Sequence, residues 1–155
     1  MSLIQTPEEL ADAIRNDPQR VAECLHRINR FGGQARSCDV LQHSLAVYDR
    51  LAGWPASARL WGLLHDCHEI ITGDVVRQYS NSLLTSHQTE IDCQLRDALG
   101  ITLTLDNAIA VERADVWRGA CEFQEVSAGR RVYHHQMPVS DWVDSVCALL
   151  REVAR

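Results

Sequence analysis

Three stretches of this sequence place side chains with chemistry where an apolar helix has no need of them. His43 lies within Val40-Leu41-Gln42-His43-Ser44-Leu45. His65 and Asp66 directly follow Trp61-Gly62-Leu63-Leu64, and Asp115 sits in the helical run from Ala108 to Trp117. Burying an ionised carboxylate or an unpaired imidazole is costly unless something compensates it. A divalent cation does so, because two neutral imidazoles and two carboxylates make a net-neutral set around M²⁺. Such nitrogen and oxygen donors suit Mn, Fe, Co, Ni or Zn better than Mg, which favours oxygen alone. Glu69 stands four residues after His65 and three after Asp66, so on a helix it projects from the same region. A carboxylate there can take a proton from an activated water without being a ligand, a division of labour suited to metal-assisted hydrolysis. Each residue alone also has an ordinary explanation. A histidine among apolar neighbours is commonly a hydrogen-bonded core residue, Asp115 can pair with Arg113 or Arg118, and His65-Asp66 is a common dipeptide. His68, three residues after His65, reads as structural or as a neighbour that supports the site.

The elements that must position these groups read as helices. Thr6-Pro7-Glu8-Glu9 has the form of a capped start with a proline in the first turn, and Asp17-Pro18 repeats the signal ahead of Val21, Leu25 and Ile28. Phe31-Gly32-Gly33 predicts a break. Asp39 or Ser37 caps the next helix, which carries Leu41, Leu45 and Tyr48 and stops near Gly53. Pro55 opens another, with Leu60, Leu63, Leu64 and Cys67, interrupted at Gly73. Thr85 or Ser86 begins a segment with Ile91 and Leu95 that ends at Gly100. Ile101 to Leu105 alternates with period two but is short and has no obvious partner, so it reads as an extended connector. Asp106 caps a long helix with Ile109, Arg113, Val116, Trp117, Ala120 and Phe123, ending before Gly129. Arg130 to Pro138 is a polar connector, and Ser140 caps a last helix with Trp142, Val146, Leu149 and Val153. The expectation is one all-α bundle of about six or seven helices, spanning residues 1–155 as a single domain.

Composition narrows the class. With 155 residues, 46% apolar and 23% charged, the chain is long enough for one sizeable core and is neither disordered nor collagen-like. The net charge of −6 argues against stable nucleic-acid binding, which calls for a basic face. All 15 basic residues are Arg, so any cationic contact to phosphate comes from a guanidinium. The six cysteines form no CxxC pair, so neither a zinc finger nor a disulfide framework is indicated. Cys24, Cys93, Cys121 and Cys147 fall in helical patterns, where reduced thiols act as small core residues. No run of apolar residues is long enough for a membrane span, and the start of the chain lacks a signal-peptide pattern, so a cytoplasmic protein is expected. Self-association is compatible with the sequence and is not fixed by it.

The order His43, His65-Asp66, Asp115 resembles the HD-domain metal-dependent phosphohydrolases. More narrowly, Arg27-Ile28-Asn29-Arg30-Phe31, Gln42-His43-Ser44-Leu45 and the block from Leu63 to Asp74 are similar to the bacterial and phage branch related to HD-type 5′-deoxynucleotidases. In that branch the third block reads approximately HDxxExxxGD, and every fixed letter is present here. The resemblance covers about residues 20 to 120. It implies an HD-type helical bundle with a metal held by His43, His65, Asp66 and Asp115. It implies that Glu69 handles the attacking water and that Asp74 contacts the sugar or orients the leaving oxygen. Arg30 and Phe31 match an Arg-aromatic pair that faces the nucleotide, although the aromatic is usually Trp. Relatives often carry a Lys several residues after the GD turn; this chain has none, and Arg77 is the nearest candidate. The implied activity is hydrolysis of a deoxynucleotide phosphate ester, with a small-molecule 5′-monophosphate first. The alternatives are a deoxynucleoside triphosphohydrolase, including a purine-directed one, and a nucleotide-binding protein that has lost catalysis.

Overall fold

The computed structural model describes residues 3–75, 80–133 and 136–155. Within them the chain is helical throughout: α1 (Pro7–Asn16), α2 (Pro18–Arg27), α3 (Val40–Arg50), α4 (Ala56–Leu64), the single turn α5 (Glu69–Thr72), α6 (Ser82–Leu99), α7 (Leu105–Ser127) and α8 (Val139–Val153). No strand occurs among the described residues; the one β-type pairing is an isolated antiparallel bridge between Asn29 and Asp39. The all-α bundle expected from the sequence is present, and no described helix is long and apolar enough to cross a membrane.

The start signals act as read. Thr6 and Glu9 form a reciprocal capping box on α1, Asp17 caps α2 and Asp39 caps α3, each accepting a backbone N–H of the first turn. Three expected starts differ. Asn81 rather than Thr85 or Ser86 caps α6, and Thr104 rather than Asp106 caps α7. The last helix begins at Val139 after Pro138 with no side-chain cap, so Ser140 lies inside it.

The helix α4 is the hub. It packs on α3, α7 and α8, while α2 packs on α1, α3 and α8, and α6 lies against α1. Leu41, Leu60, Leu63, Leu64 and Trp142 are sealed in this core; each such side chain contributes roughly 1.5–3 kcal/mol of burial free energy. Gly62 lets α3 and α4 approach closely, since a β-carbon there would meet the Leu51 side chain at 2.5 Å. The Trp142 indole N–H donates to the Leu63 carbonyl at 3.2 Å, which fixes the end of α4 just before His65.

Three readings of the sequence are corrected by the structure. The thiols in the core are Cys38 and Cys67; Cys93 is exposed, and Cys24, Cys121 and Cys147 are half-buried at helix surfaces. On α7, Val116, Trp117 and Phe123 point outward, and the buried face is Asn107, Ala110, Val111, Ala114 and Glu122. The connector after Gly129 is not purely polar either. Val132 and Tyr133 are buried against Ala35 and Cys38 in a small second cluster, with Phe31 on its edge.

The segment between α2 and α3 is closed at its base. Arg30 N–H donates to the Cys38 carbonyl at 2.9 Å and Val40 N–H to the Ile28 carbonyl at 3.0 Å. Between these ties, Phe31 and Gly32 both take positive φ, 58° and 60°. For a residue with a β-carbon that conformation costs about 1–3 kcal/mol and persists only where the surroundings hold it.

Candidate metal centre

Three elements converge on one point. His43 lies in the first turn of α3, four residues after its cap. His65 and Asp66 follow the last residue of α4, and Asp115 lies midway along α7. His43 Nε2 is 2.9 Å from Asp115 Oδ1 and 3.7 Å from Asp66 Oδ2. His65 Nε2 is 3.4 Å from Asp66 Oδ2 and 3.7 Å from Asp115 Oδ1. Neighbouring ligands of a cation that takes nitrogen and oxygen at about 2.0–2.2 Å stand about 3–3.5 Å apart, so these separations bracket what a shared cation requires.

The hydrogen bonds behind the ligands point the same way. His65 donates Nδ1–H to the Gly62 carbonyl at 2.9 Å, which makes Nε2 the lone-pair nitrogen. That atom is buried and has no hydrogen-bond partner. The His43 Nδ1 faces Glu122 Oε1 at 2.8 Å, which turns its Nε2 into the cluster. A ligating histidine commonly has its second nitrogen held by a carbonyl or carboxylate in this way. His43, His65 and Asp115 can therefore hold a metal ion together, and Asp66 also falls in a second, adjoining group with His68 and Glu69.

Charge is concentrated here. Burial works against ionisation of Asp66 and Asp115, but the two histidines hold both carboxyls below the usual range. Burial also opposes a charged His65, yet Asp66 and Asp115 lift it to about 10. A cation must displace that proton. Metal affinity should consequently rise with pH, about tenfold per unit from neutrality toward the His65 value, because one proton leaves as the metal enters. Chelator competition across that range measures it; a flat profile would mean that no proton is displaced.

The stretch from His65 to Glu69 does not continue α4. Cys67, Glu69, Ile70 and Ile71 each donate their N–H to the carbonyl three residues back. In such 3₁₀-type turns residues i and i+3 eclipse. Asp66 and Glu69 thus share one face and His65 and His68 the next, a tighter alignment than α-helical offsets give. Glu69 is 8% exposed and its Oε2 has no partner. Burial first, then Asp66 and Asp74, push its acid up to about 9. His68 is held through Nδ1 by Asp92 of α6 at 2.9 Å.

A cleft of about 590 Å³ opens over the cluster, lined by Arg30, Phe31, Asp66, Glu69 and Asp74 on one side and by Ser82, Thr85 and Gln88 of α6 on the other. That volume lies within the usual range for small-molecule sites. Arg30 reaches from its loop to place Nη1 3.2 Å from Asp66 Oδ2. Phe31 is half-buried, so it both packs on the second cluster and lines the cleft. Burial pushes the Asp74 carboxyl up, while Arg30 and the nearby backbone of Gly32 and Phe31 pull it down, and its Oδ2 is buried without a hydrogen-bond partner among the described residues. Arg77, the nearest candidate for the lysine that relatives carry after the GD turn, lies outside the described residues.

Sequence reasoning missed Glu122, Tyr133 and Arg118. Glu122 is 0% exposed. It receives Tyr133 O–H at 2.6 Å and Arg118 Nε–H at 3.3 Å, beside His43. The usable signal was position: Glu122 falls seven residues, or two helical turns, after Asp115, on the same face.

No protein-family model matches this chain, and no curated protein matches it. The fold and site define a helical bundle whose buried histidine and carboxylate groups converge beneath an open polar cleft.

Proposed function

We propose that the chain is an HD-type, metal-dependent phosphohydrolase acting on a deoxynucleotide, with a 5′-monophosphate as its first substrate. One observation carries this reading: His43, His65 and Asp115 form a cation-capable group, Asp66 stands within 3.7 Å of both histidines, and the buried carboxylate Glu69 and the arginine Arg30 lie on the same cleft. A divalent cation held by His43, His65, Asp66 and Asp115, with Mn, Fe, Co, Ni or Zn preferred, supplies Lewis acidity that activates water and neutralises phosphoryl charge.

The chain's own residues do the rest. Arg30 offers a planar fork to the phosphoryl oxygens, already directed at the cluster by its contact with Asp66. Glu69, pushed up to about 9 by burial, Asp66 and Asp74, holds its proton near neutrality in the cation-free chain; the charge of a bound cation would lower it, so that it could take the proton of the attacking water and return it to the departing 5′-oxygen. Asp74 Oδ2 accepts a hydrogen bond from the 3′-hydroxyl and crowds the place of a 2′-hydroxyl. Phe31 stacks on the sugar or base. The products from a monophosphate are a deoxynucleoside and orthophosphate.

The test is a screen of nucleoside mono-, di- and triphosphates with several metals, analysed for the phosphate released. Orthophosphate from a deoxynucleoside monophosphate supports the reading. Intact triphosphate released from a deoxynucleoside triphosphate moves it to a triphosphohydrolase, and nucleotide binding without turnover moves it to a binding protein. Within that screen, Arg30→Ala raises KM by roughly 10- to 100-fold, the equivalent of a hydrogen bond to a charged group. Asp74→Asn lowers turnover and relaxes the preference for deoxyribose, read as kcat/KM on matched ribo- and deoxynucleotide pairs. Unchanged KM and an unchanged sugar ratio would remove both residues from the site.

A further inference from the structure

We propose that Glu122 is a positioning residue that orients two parts of the site at once: the imidazole of His43 and the guanidinium of Arg30. This rests on the functional reading above and extends it to a residue with no access to substrate. Glu122 has one oxygen on each partner. Its Oε1 stands 2.8 Å from His43 Nδ1, and its Oε2 stands 3.1 Å from Arg30 Nε. The same guanidinium contacts Asp66 through Nη1 at 3.2 Å. A single carboxylate therefore spans the ligand on α3 and the loop arginine that flanks a second ligand.

The arrangement is costly, so it calls for a reason. A fully buried carboxylate loses its hydration, and only close cations and donors offset that loss. Here Tyr133 O–H and Arg118 Nε–H complete the offset by donating to Oε1 from the outer side. Both hydrogen bonds hold the carboxylate itself. Arg30 Nε and Glu122 Oε2 are close but not aligned for a hydrogen bond, and both are counted among the buried atoms without one. The Arg30 contact is thus an ion pair that sets the place of a guanidinium also tied to Asp66, whereas the His43 contact is a directed hydrogen bond.

A carboxylate that only glued the second cluster to α7 would influence stability and nothing else. A positioning carboxylate would also influence cation affinity and phosphate affinity. The experiment measures Zn²⁺ affinity by chelator competition, and the affinity of the Zn²⁺-loaded chain for inorganic phosphate by calorimetry. In Glu122→Gln, Zn²⁺ affinity should fall about 10- to 100-fold, the usual cost of losing a carboxylate behind a ligating histidine, and phosphate binding should weaken as well. Tyr133→Phe and Arg118→Ala remove outer donors only, so they should lower the melting temperature with far smaller effects on either affinity. Should Glu122→Gln fail to fold, ¹⁵N-histidine spectra of the Zn²⁺-loaded wild-type chain decide the matter. His43 must carry its proton on Nδ1, in a strong hydrogen bond. Wild-type Zn²⁺ and phosphate affinity in Glu122→Gln, or a proton on Nε2 of His43, overturns the inference and leaves the hydrolase reading intact. A wild-type chain that binds none of Mn²⁺, Fe²⁺, Co²⁺, Ni²⁺ and Zn²⁺ overturns both.

Discussion

Replacing Asp66 with alanine empties the cation site and leaves the helical bundle standing. Asp66 Oδ2 lies 3.7 Å from His43 Nε2 and 3.4 Å from His65 Nε2, so its loss opens the set on the side that faces the cleft. A carboxylate in direct contact with the cation should matter at least as much as one behind it, so affinity falls by more than about 100-fold. The fold does not depend on it. Asp66 sits in the turn after α4, whereas the core consists of residues such as Leu41, Leu60, Leu63, Leu64 and Trp142. Arg30 loses one partner and keeps Glu122. Elemental analysis should give one metal per wild-type chain and almost none in Asp66→Ala, with unchanged helical circular dichroism. A variant that still holds stoichiometric metal would show that His43, His65, Asp66 and Asp115 do not form one site.

Glu69→Ala should behave in the opposite way: metal content stays normal while turnover drops by ~10²–10⁴, the usual worth of general acid–base assistance. Glu69 shares a face with Asp66 through the 3₁₀-type turn, so it stands beside the cluster; its Oε2 has no hydrogen-bond partner among the described residues. The measurement is kcat with metal content determined on the same sample. Full turnover at normal metal content would transfer the proton work to another group.

Much of this was legible because local chemistry decides it. The caps at Thr6, Asp17 and Asp39 need only a side-chain oxygen and the next three residues, and they sit where sequence put them. The bringing together of His43, His65, Asp66 and Asp115 could be argued from the cost of polar groups at apolar positions. The same rule failed on α7. A site buried within a bundle requires polar side chains on the inward face, so the apolar stripe through Val116, Trp117 and Phe123 points to the wrong side, and Glu122 drew no notice. The His65–Glu69 turn was read with α-helical offsets, because periodicity cannot separate a tightened turn from a helix over so few residues. Cys93 was placed in the core for a similar reason: a small residue in a helical pattern carries little information about which way it faces.

The paired backbone ties between Ile28 and Val40 and between Arg30 and Cys38 also bear on how such a chain can change over generations. Once both ends of a segment are fastened, lengthening the part between them is inexpensive; a doubling of loop length costs only about 0.6 kcal/mol. The exposed Gly33, Gln34 and Arg36 can accordingly vary, around an Ala35 that stays packed in the second cluster, while Arg30 and α3 keep their places. Variation there alters what the cleft admits without retuning the cation's ligands, so a new substrate preference can be acquired in small steps from a scaffold whose chemistry is already in place.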